Sequence, residues 1–318
     1  MNRTNDTKEL LHPRNKHRAP YNFELLSEAY PPLSKFVQKN KFGAESINFF
    51  DASAVVALNR AILQLHYQVQ GWSIPKNLLC PPIPGRVDYV HYVADLLAEE
   101  NDGKIPTGSN IRCFDVGTGA SCIYPLLGNA EYGWSFVASD TNFEALKAAK
   151  NNLKQNQQLS SAIELATQKN NKLIFTGLVA ANNRFDVSMC NPPFHSSAKE
   201  AEKGSLRKTR NLKDKSATVA SLNFGGQSSE LWCDGGEYEF IKQLIRESET
   251  LKNNFLWFTT LVSKSSNLPH FEKWLLAANV DQVKIIEMKQ GQKISRLLCW
   301  TFLPKEKREI WVNARWTK

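Results

Sequence analysis

The run Arg184-Phe185-Asp186-Val187-Ser188-Met189-Cys190 is mostly apolar and stops abruptly at Asn191-Pro192-Pro193-Phe194. Two consecutive prolines lack backbone N–H groups, and the first pushes the residue before it into the extended region. A strand must therefore end here, on a stiff turn. In open α/β sheets the carboxyl ends of the strands are where ligands bind. The Asn191 side chain and the Pro192 carbonyl thus stand at the binding edge of whatever sheet the chain forms. Two acceptors at one point suit an exocyclic amine on an aromatic ring. Such an amine is a poor nucleophile, and a site that accepts both of its N–H bonds aims the lone pair at an electrophile. Phe194 adds a face on which a flat base can stack. Taken alone, the turn is as consistent with a plain strand ending.

The rest of the chain supplies the sheet. Candidate strands lie at Ile111–Val116, Ser135–Ser139, Lys172–Phe175, Phe185–Cys190, Phe255–Leu261, Val283–Met288 and Leu297–Phe302. Helical stretches separate several of them, notably Asn142–Gln155 and Glu237–Lys252. Alternating strand and helix predicts a mostly parallel, doubly wound α/β sheet. Only a short loop around Gly291 joins the last two strands, too little for a helical crossover, so they should form an antiparallel pair at one edge.

Two further motifs fall on strand ends. Phe114-Asp115-Val116-Gly117-Thr118-Gly119-Ala120 closes the first core strand with a glycine turn that lets backbone approach a ligand. The pattern is GxGxxC, so the third glycine of a dinucleotide site is missing. Asp115 would face a pyrophosphate unfavourably, but it suits an ammonium such as the amino-acid end of S-adenosylmethionine. Asp140 follows Gly117 by 23 residues, at the end of the second strand, where an acid hydrogen-bonds ribose hydroxyls. Asp115, Gly117, Thr118, Gly119 and Asp140 are therefore the candidate cofactor residues, with S-adenosyl-L-methionine as the cofactor. Arg86 stands at the start of a helix beside Gly85, an unfavourable place for a cation by the helix-dipole argument, so an anionic partner is expected there.

Ahead of the sheet, residues 22–42 suggest two short amphipathic helices broken at Pro31-Pro32. Asp51 suits the N-cap of a helix running to about Val69, whose Val55, Leu58, Ile62 and Leu65 are spaced as a core stripe. Another helix follows Cys80-Pro81-Pro82-Ile83-Pro84-Gly85-Arg86 and puts Val87, Val90, Ala94 and Leu97 on one face. Residues 21–108 thus form an N-terminal helical extension, and residues 109–318 the main domain. Residues 1–20 carry Arg14, Lys16 and Arg18 without apolar periodicity and predict a flexible basic arm that grips phosphates. A long segment, 196–236, follows the asparagine turn. Its stretch Lys199–Lys215 holds seven Lys/Arg against three acids, so it predicts a mobile, basic, substrate-facing loop in which Lys208 and Arg210 are candidate nucleic-acid contacts.

The net charge of +9 favours an anionic partner. None of the six cysteines is spaced CxxC, which argues against zinc, and no metal is expected. Cys113 and Cys190 fall in candidate buried strands, which suits free thiols and a cytoplasmic protein. The start of the chain lacks a secretory pattern and no apolar run is long enough for a bilayer. No oligomer signature appears, so a monomer is expected.

The order DVGTG, then ASD, then CNPPF resembles the class I adenine-N(6) methyltransferases. LHPRNKHR, PPIPGRVDYVHYVADLL, DVGTGASCIYPLLG and MCNPPF together resemble the RlmF-type methyltransferases, which modify one adenine of bacterial 23S ribosomal RNA and have eukaryotic relatives acting on RNA hairpins. The resemblance runs from about Leu11 to the C-terminus. It implies a Rossmann-like, seven-stranded, mostly parallel sheet with one antiparallel edge strand. It also implies that Arg86, Gly117, Asp140 and Asn191 contact the cofactor, that Asn191 is catalytic, that Phe194 holds a flipped base, and that the extension over residues 21–108, with Arg14, Lys16, Arg18, Lys208 and Arg210, binds RNA. The family's contact near its third strand, here Lys172–Thr176, is not carried over to a residue. On this reading Asn191 and Pro192 orient the amine, transfer is a direct displacement governed by alignment, and His195 beside the turn is not required as a base. The alternatives are a methyltransferase for DNA adenine or protein glutamine, and a non-catalytic RNA-binding assembly factor.

Overall fold

In the computed structural model the described residues are 10–76, 78–195, 197, 200, 232–290 and 293–316. The chain opens with α1 (Phe23–Ala29), a 3₁₀ turn over Pro31–Phe36, a hairpin of β1 (Val37–Lys39) and β2 (Glu45–Ile47), then α2 (Ala52–Tyr67) and α3 (Ile83–Glu99). Asp51 caps α2 by accepting from the Ser53 N–H at 2.8 Å. The second short helix expected over 22–42 is replaced by the 3₁₀ turn and the hairpin. Pro31 and Pro32 hold φ for one tight turn only, and Gly43 at φ +79° closes a chain reversal that the Asn40 side chain ties down through the Phe42 and Ala44 N–H groups.

The sheet follows: β3 (Arg112–Val116), α4 (Ile123–Tyr132), β4 (Ser135–Asp140), α5 (Phe143–Lys154), α6 (Gln157–Ala162), β5 (Ile163–Thr167), β6 (Phe185–Cys190), α7 (Gly236–Thr250), β7 (Phe255–Val262), α8 (Leu268–Ala277), β8 (Gln282–Gln290), β9 (Lys293–Thr301) and α9 (Lys305–Arg315). Its seven strands are ordered β5-β4-β3-β6-β7-β9-β8. Strands β5, β4, β3, β6 and β7 are mutually parallel, and β9 runs antiparallel to both β7 and β8. The last two strands are the expected antiparallel pair, with the reversed strand β9 slotted inside β8.

The third core strand is Ile163–Thr167, not Lys172–Phe175 as the sequence suggests. The backbone N–H groups of Ile174, Phe175 and Thr176 are taken by one carboxylate, Glu247 of α7, at 2.8–2.9 Å, which removes them from any ladder. Ile174 and Phe175 remain buried, which is why the segment reads as a strand.

The chain builds outward from β3 to β5 and then crosses back to place β6 on the other side of β3. That reversal creates a crevice between the ends of β3 and β6, where α/β sheets hold ligands. Asp115 pairs with Met189 and Val116 with Cys190, so the glycine turn and the asparagine turn leave the sheet side by side.

The N-terminal elements are not packed as a separate body. Leu26, Ile62 and Val90 lie in one apolar cluster with Leu126, Trp134 and Trp257. Residues 10–18 are also seated, contrary to the flexible arm expected over 1–20; residues 1–9 of that arm lie outside the described residues. Leu11, His12, Asn15 and His17 are buried. His12 donates its N–H to Asp88 at 3.1 Å and its ring meets Asp95 at 2.8 Å. Arg14 donates to Asp95 at 2.7 Å, to the His91 carbonyl at 3.0 Å and to the Tyr132 hydroxyl at 3.1 Å. Lys16 pairs with Glu131 at 2.9 Å, while Arg18 is exposed. Polar side chains, not an apolar stripe, pin this segment, so hydrophobic periodicity could not reveal it.

Candidate active site

The Asp115 carboxylate is fully buried, and neither of its oxygens has a hydrogen-bond partner within the protein. Burial pushes its carboxyl up to about 7, Asp140 pushes the same way, and Thr118 and Arg86 oppose. An unpartnered carboxylate away from water is costly, and a cationic ligand would remove the cost. The turn beyond it is tied to β4: Gly117 and Thr118 both donate to the Ser139 carbonyl at 2.9 Å. Gly117 at φ +73° and Gly119 at φ +63° make that turn, in the left-handed region that side chains disfavour. A Cβ at Gly117 would meet nothing within 4 Å, so the backbone there faces open space.

Asp140 at the end of β4 accepts from Gly119 N–H and Asn142 N–H, each at 2.8 Å. Burial raises its pKa, and these backbone donors counter the rise. Asn142 in turn caps α5, accepting from the Glu144 and Ala145 N–H groups. Asp140 is thus fixed in place beside the glycine turn while keeping oxygen lone pairs for a further donor.

Arg86 lies in the first turn of α3, as the PGR motif suggests. It donates to the Tyr124 hydroxyl at 2.7 Å, its guanidinium lies 5.5 Å from that ring, and its buried Nε has no partner. Burial pushes the Tyr124 hydroxyl up to about 12, opposed by Arg86, so it stays a neutral acceptor here. Tyr124 was not singled out by sequence; its signal is its place in the GASCIYP run after the glycine turn.

The asparagine turn completes the site. The Asn191 side-chain oxygen is buried and unpartnered. Asn191 and Phe194 line one cleft with Arg86, Gly85 and Ser263. Pro192 is buried and Pro193 half-buried in the stiff turn between them. His195 bridges to Trp232 and its carbonyl accepts from Cys233 N–H at 3.1 Å, tying the two ends of the segment after the turn. Lys208 and Arg210 lie outside the described residues. The opposite wall of the cleft is set by Glu237 at the start of α7. This buried carboxylate accepts from the Ser263 N–H at 2.6 Å, the Lys264 N–H at 3.2 Å and the Asn267 amide at 3.1 Å, and also meets the Ser263 hydroxyl. Nothing in the local sequence marks that role, because its partners follow 26 or more positions later.

The unpartnered oxygens therefore gather at one end of the sheet, the Asp115 carboxylate at the end of β3 and the Asn191 amide at the end of β6, and Arg86, whose charge acts on Asp115, lines the same cleft as Asn191. The donor set fits S-adenosylmethionine. Asp115 would hold the ammonium, Asp140 the ribose hydroxyls and Arg86 the carboxylate. Among the described residues no group of three or more His, Cys, Asp or Glu side chains is placed to hold a metal ion, and no helix is long and apolar enough to cross a membrane.

Residues 5–304 match the Methyltransf_10 family model, described as RNA methyltransferase. The ribosomal RNA large subunit methyltransferase F of Pseudomonas savastanoi pv. phaseolicola is 52% identical over 303 residues, covering 95% of this chain and 92% of that protein. The protein of the same name from Flavobacterium johnsoniae is 50% identical over 309 residues, 96% of this chain and 98% of its own. Among solved structures, the human METTL16 catalytic domain in complex with MAT2A 3′UTR hairpin 1 superposes with a TM-score of 0.77 at 32% identity, covering 92% of this chain and 96% of that one. The N-terminal domain of human METTL16 in complex with SAH gives a TM-score of 0.72 at 30% identity, with 92% and 99% covered. The chain belongs to the Methyltransf_10 family of RNA methyltransferases, with a class I methyltransferase fold and S-adenosylmethionine as its cofactor.

Proposed function

We propose that the chain methylates the exocyclic N6 amine of an adenine in the 23S RNA of the large ribosomal subunit. The observation that carries this reading is the buried, unpartnered Asn191 side-chain oxygen on a proline-stiffened turn, beside a carboxylate suited to the cofactor's ammonium. The relatives' name, ribosomal RNA large subunit methyltransferase F, supports the substrate.

S-adenosylmethionine supplies an electrophilic methyl on a sulfonium. The target adenine is unstacked and enters the cleft, since its amine cannot be reached inside a helix. Asn191 Oδ1 and the Pro192 carbonyl accept its two N–H bonds, which turns the nitrogen lone pair toward the methyl. Phe194 stacks on the ring. Pro193 keeps the turn from relaxing. With the cofactor bound, its methyl would pass to the aligned nitrogen, the sulfonium leaving as the neutral thioether, and the surplus proton of the amine would go to solvent. Alignment, rather than a strong base, supplies the acceleration.

RNA is held by the N-terminal elements, by Lys16 and Arg18 at the surface beside Arg14, and by the basic segment containing Lys208 and Arg210. Arg14 acts mainly by orienting this surface, since Asp95 already neutralises it. The protein works as a monomer in the cytoplasm, where large subunits assemble.

The test is transfer of labelled methyl to large-subunit RNA, DNA and protein, followed by nucleoside and amino-acid analysis. N6-methyladenosine in the RNA is expected, and Asn191→Ala should reduce it at least about 1,000-fold while cofactor affinity stays within a few-fold. Label in DNA adenine or in glutamine instead would overturn the substrate assignment.

A further inference from the structure

Pairing between β6 and β7 stops at Ser188–Phe258, two residues before β6 ends at Cys190. Beyond that point the two strands share no ladder pair, and the cleft is lined on one side by Asn191 and on the other by Leu261–Ser263. Cys190, immediately before the asparagine turn, is buried, so its N–H needs another acceptor. It finds one in a side chain from the N-terminal half of the chain: the Tyr89 hydroxyl of α3, at 3.0 Å.

The proton order in this contact is determined. The Thr259 hydroxyl donates to the Ser188 carbonyl at 2.6 Å. A hydroxyl has one proton, so at the 2.7 Å contact between Tyr89 and Thr259 the tyrosine must be the donor. Tyr89 therefore gives its proton to Thr259 and accepts from Cys190, so that each of the two hydroxyls donates once and accepts once. Burial keeps the Tyr89 hydroxyl protonated. The same helix carries Arg86 one turn earlier, and the Tyr89 and Tyr124 rings meet edge-on at 5.1 Å. Arg86 and Tyr89 thus fasten one rigid helix to both halves of the site. α3 is itself anchored from outside by Asn15, which donates to the Pro84 carbonyl at 2.9 Å and to Asp88.

We propose that Tyr89 is a positioning residue for methyl transfer: its hydroxyl substitutes for the missing β6–β7 rung and fixes the direction in which Asn191 leaves the sheet. This rests on the reading of Asn191 as the residue that aligns the amine. The substrate never touches Tyr89. Its loss misplaces the amine acceptor rather than removing it, and a misplacement of this kind costs rate rather than binding.

The experiment compares full-length wild type, Tyr89→Phe, Thr259→Val, the double variant and Asn191→Ala. Each is assayed for single-turnover methyl transfer to unmethylated 23S RNA, for KM of that RNA and for SAH affinity, well below its melting temperature. Tyr89→Phe keeps the ring against Tyr124 and should slow transfer about 10- to 100-fold, with KM and SAH affinity within about twofold of wild type. Thr259→Val should slow it less, and the double variant should be no slower than Tyr89→Phe, because the two act through one chain of hydrogen bonds. A folded Tyr89→Phe with a rate within twofold of wild type overturns the proposal. So does a parallel loss of SAH affinity and rate, which would mark a structural role only. If Tyr89→Phe does not fold, a wild-type rate in Thr259→Val overturns it equally. Activity in Asn191→Ala would instead defeat the amine-alignment reading, whereas an inactive Asn191→Ala beside a fully active Tyr89→Phe defeats this inference alone.

Discussion

Asp115 and Asp186 are both fully buried, and they lie on adjacent strands of the same sheet. They differ in company. At the amino end of β6, Asp186 accepts from the Arg112 N–H at 2.6 Å, from the indoles of Trp311 and Trp316 at 2.7 and 2.8 Å, and from Arg315 at 3.3 Å. At the carboxyl end of β3, Asp115 has the Thr118 hydroxyl and Arg86 near it but no hydrogen bond of good geometry to either. The first carboxylate fastens α9 to the sheet. The second is held away from water without a hydrogen bond, at a cost that a cationic ligand would offset. Burial alone does not separate a structural acid from a functional one; the count of donors does.

The largest effect should come from breaking the satisfied acid. Asp186→Ala strands two indole donors and an arginine in a buried site and should cost about 3–5 kcal/mol in urea unfolding. An unchanged midpoint would dissolve the contrast. The orphaned acid should behave in the opposite sense. Its carboxyl is raised from 3.8 to about 7, so its favourable contribution to the unliganded fold is complete below about pH 4 and is lost as pH rises through 7. Asp115→Asn does not titrate there. Without cofactor it should gain stability over wild type as pH rises, by up to about 4 kcal/mol at pH 8, and show little difference at pH 4. A variant less stable than wild type at pH 8 would mean that Asp115 has partners of its own. A smaller effect follows for the ligand. An ammonium is bound better by the ionised carboxylate, so SAH affinity should tighten about tenfold from pH 6 to pH 8 in wild type, and Asp115→Asn should flatten that dependence. Smallest is Lys16→Ala, which removes a half-exposed ion pair to Glu131 and should change stability by no more than about 1 kcal/mol while leaving SAH affinity untouched.

What the sequence could reveal followed the same division. The places of Gly117, Asp140 and Asn191 in the fold were legible because their signals are local: a glycine where φ is positive, an acid at a strand end, an asparagine before two prolines. The alternation of strand and helix was legible for the same reason. Features made by distant partners were not. Lys172–Phe175 has the composition of a strand, but Glu247 takes its N–H groups. The segment around LHPRNKHR reads as a flexible basic arm, yet Asp88 and Asp95, 76 to 83 positions later, hold it against α3. Tyr89 looks like one more core aromatic in an amphipathic helix, and only the fold brings it to Cys190, 101 residues on.

If the unpartnered acid marks the cofactor site and the saturated one does not, the two must part in ligand binding. The direct test is calorimetric titration of SAH at pH 8 into wild type, Asp115→Asn and Asp186→Asn, each first shown to be folded by circular dichroism. We expect Asp115→Asn to weaken binding by about 100-fold or more, because the ligand's ammonium loses its buried counter-charge, and Asp186→Asn to bind within about twofold of wild type. Wild-type affinity in Asp115→Asn, or an equal loss in Asp186→Asn, would contradict the account.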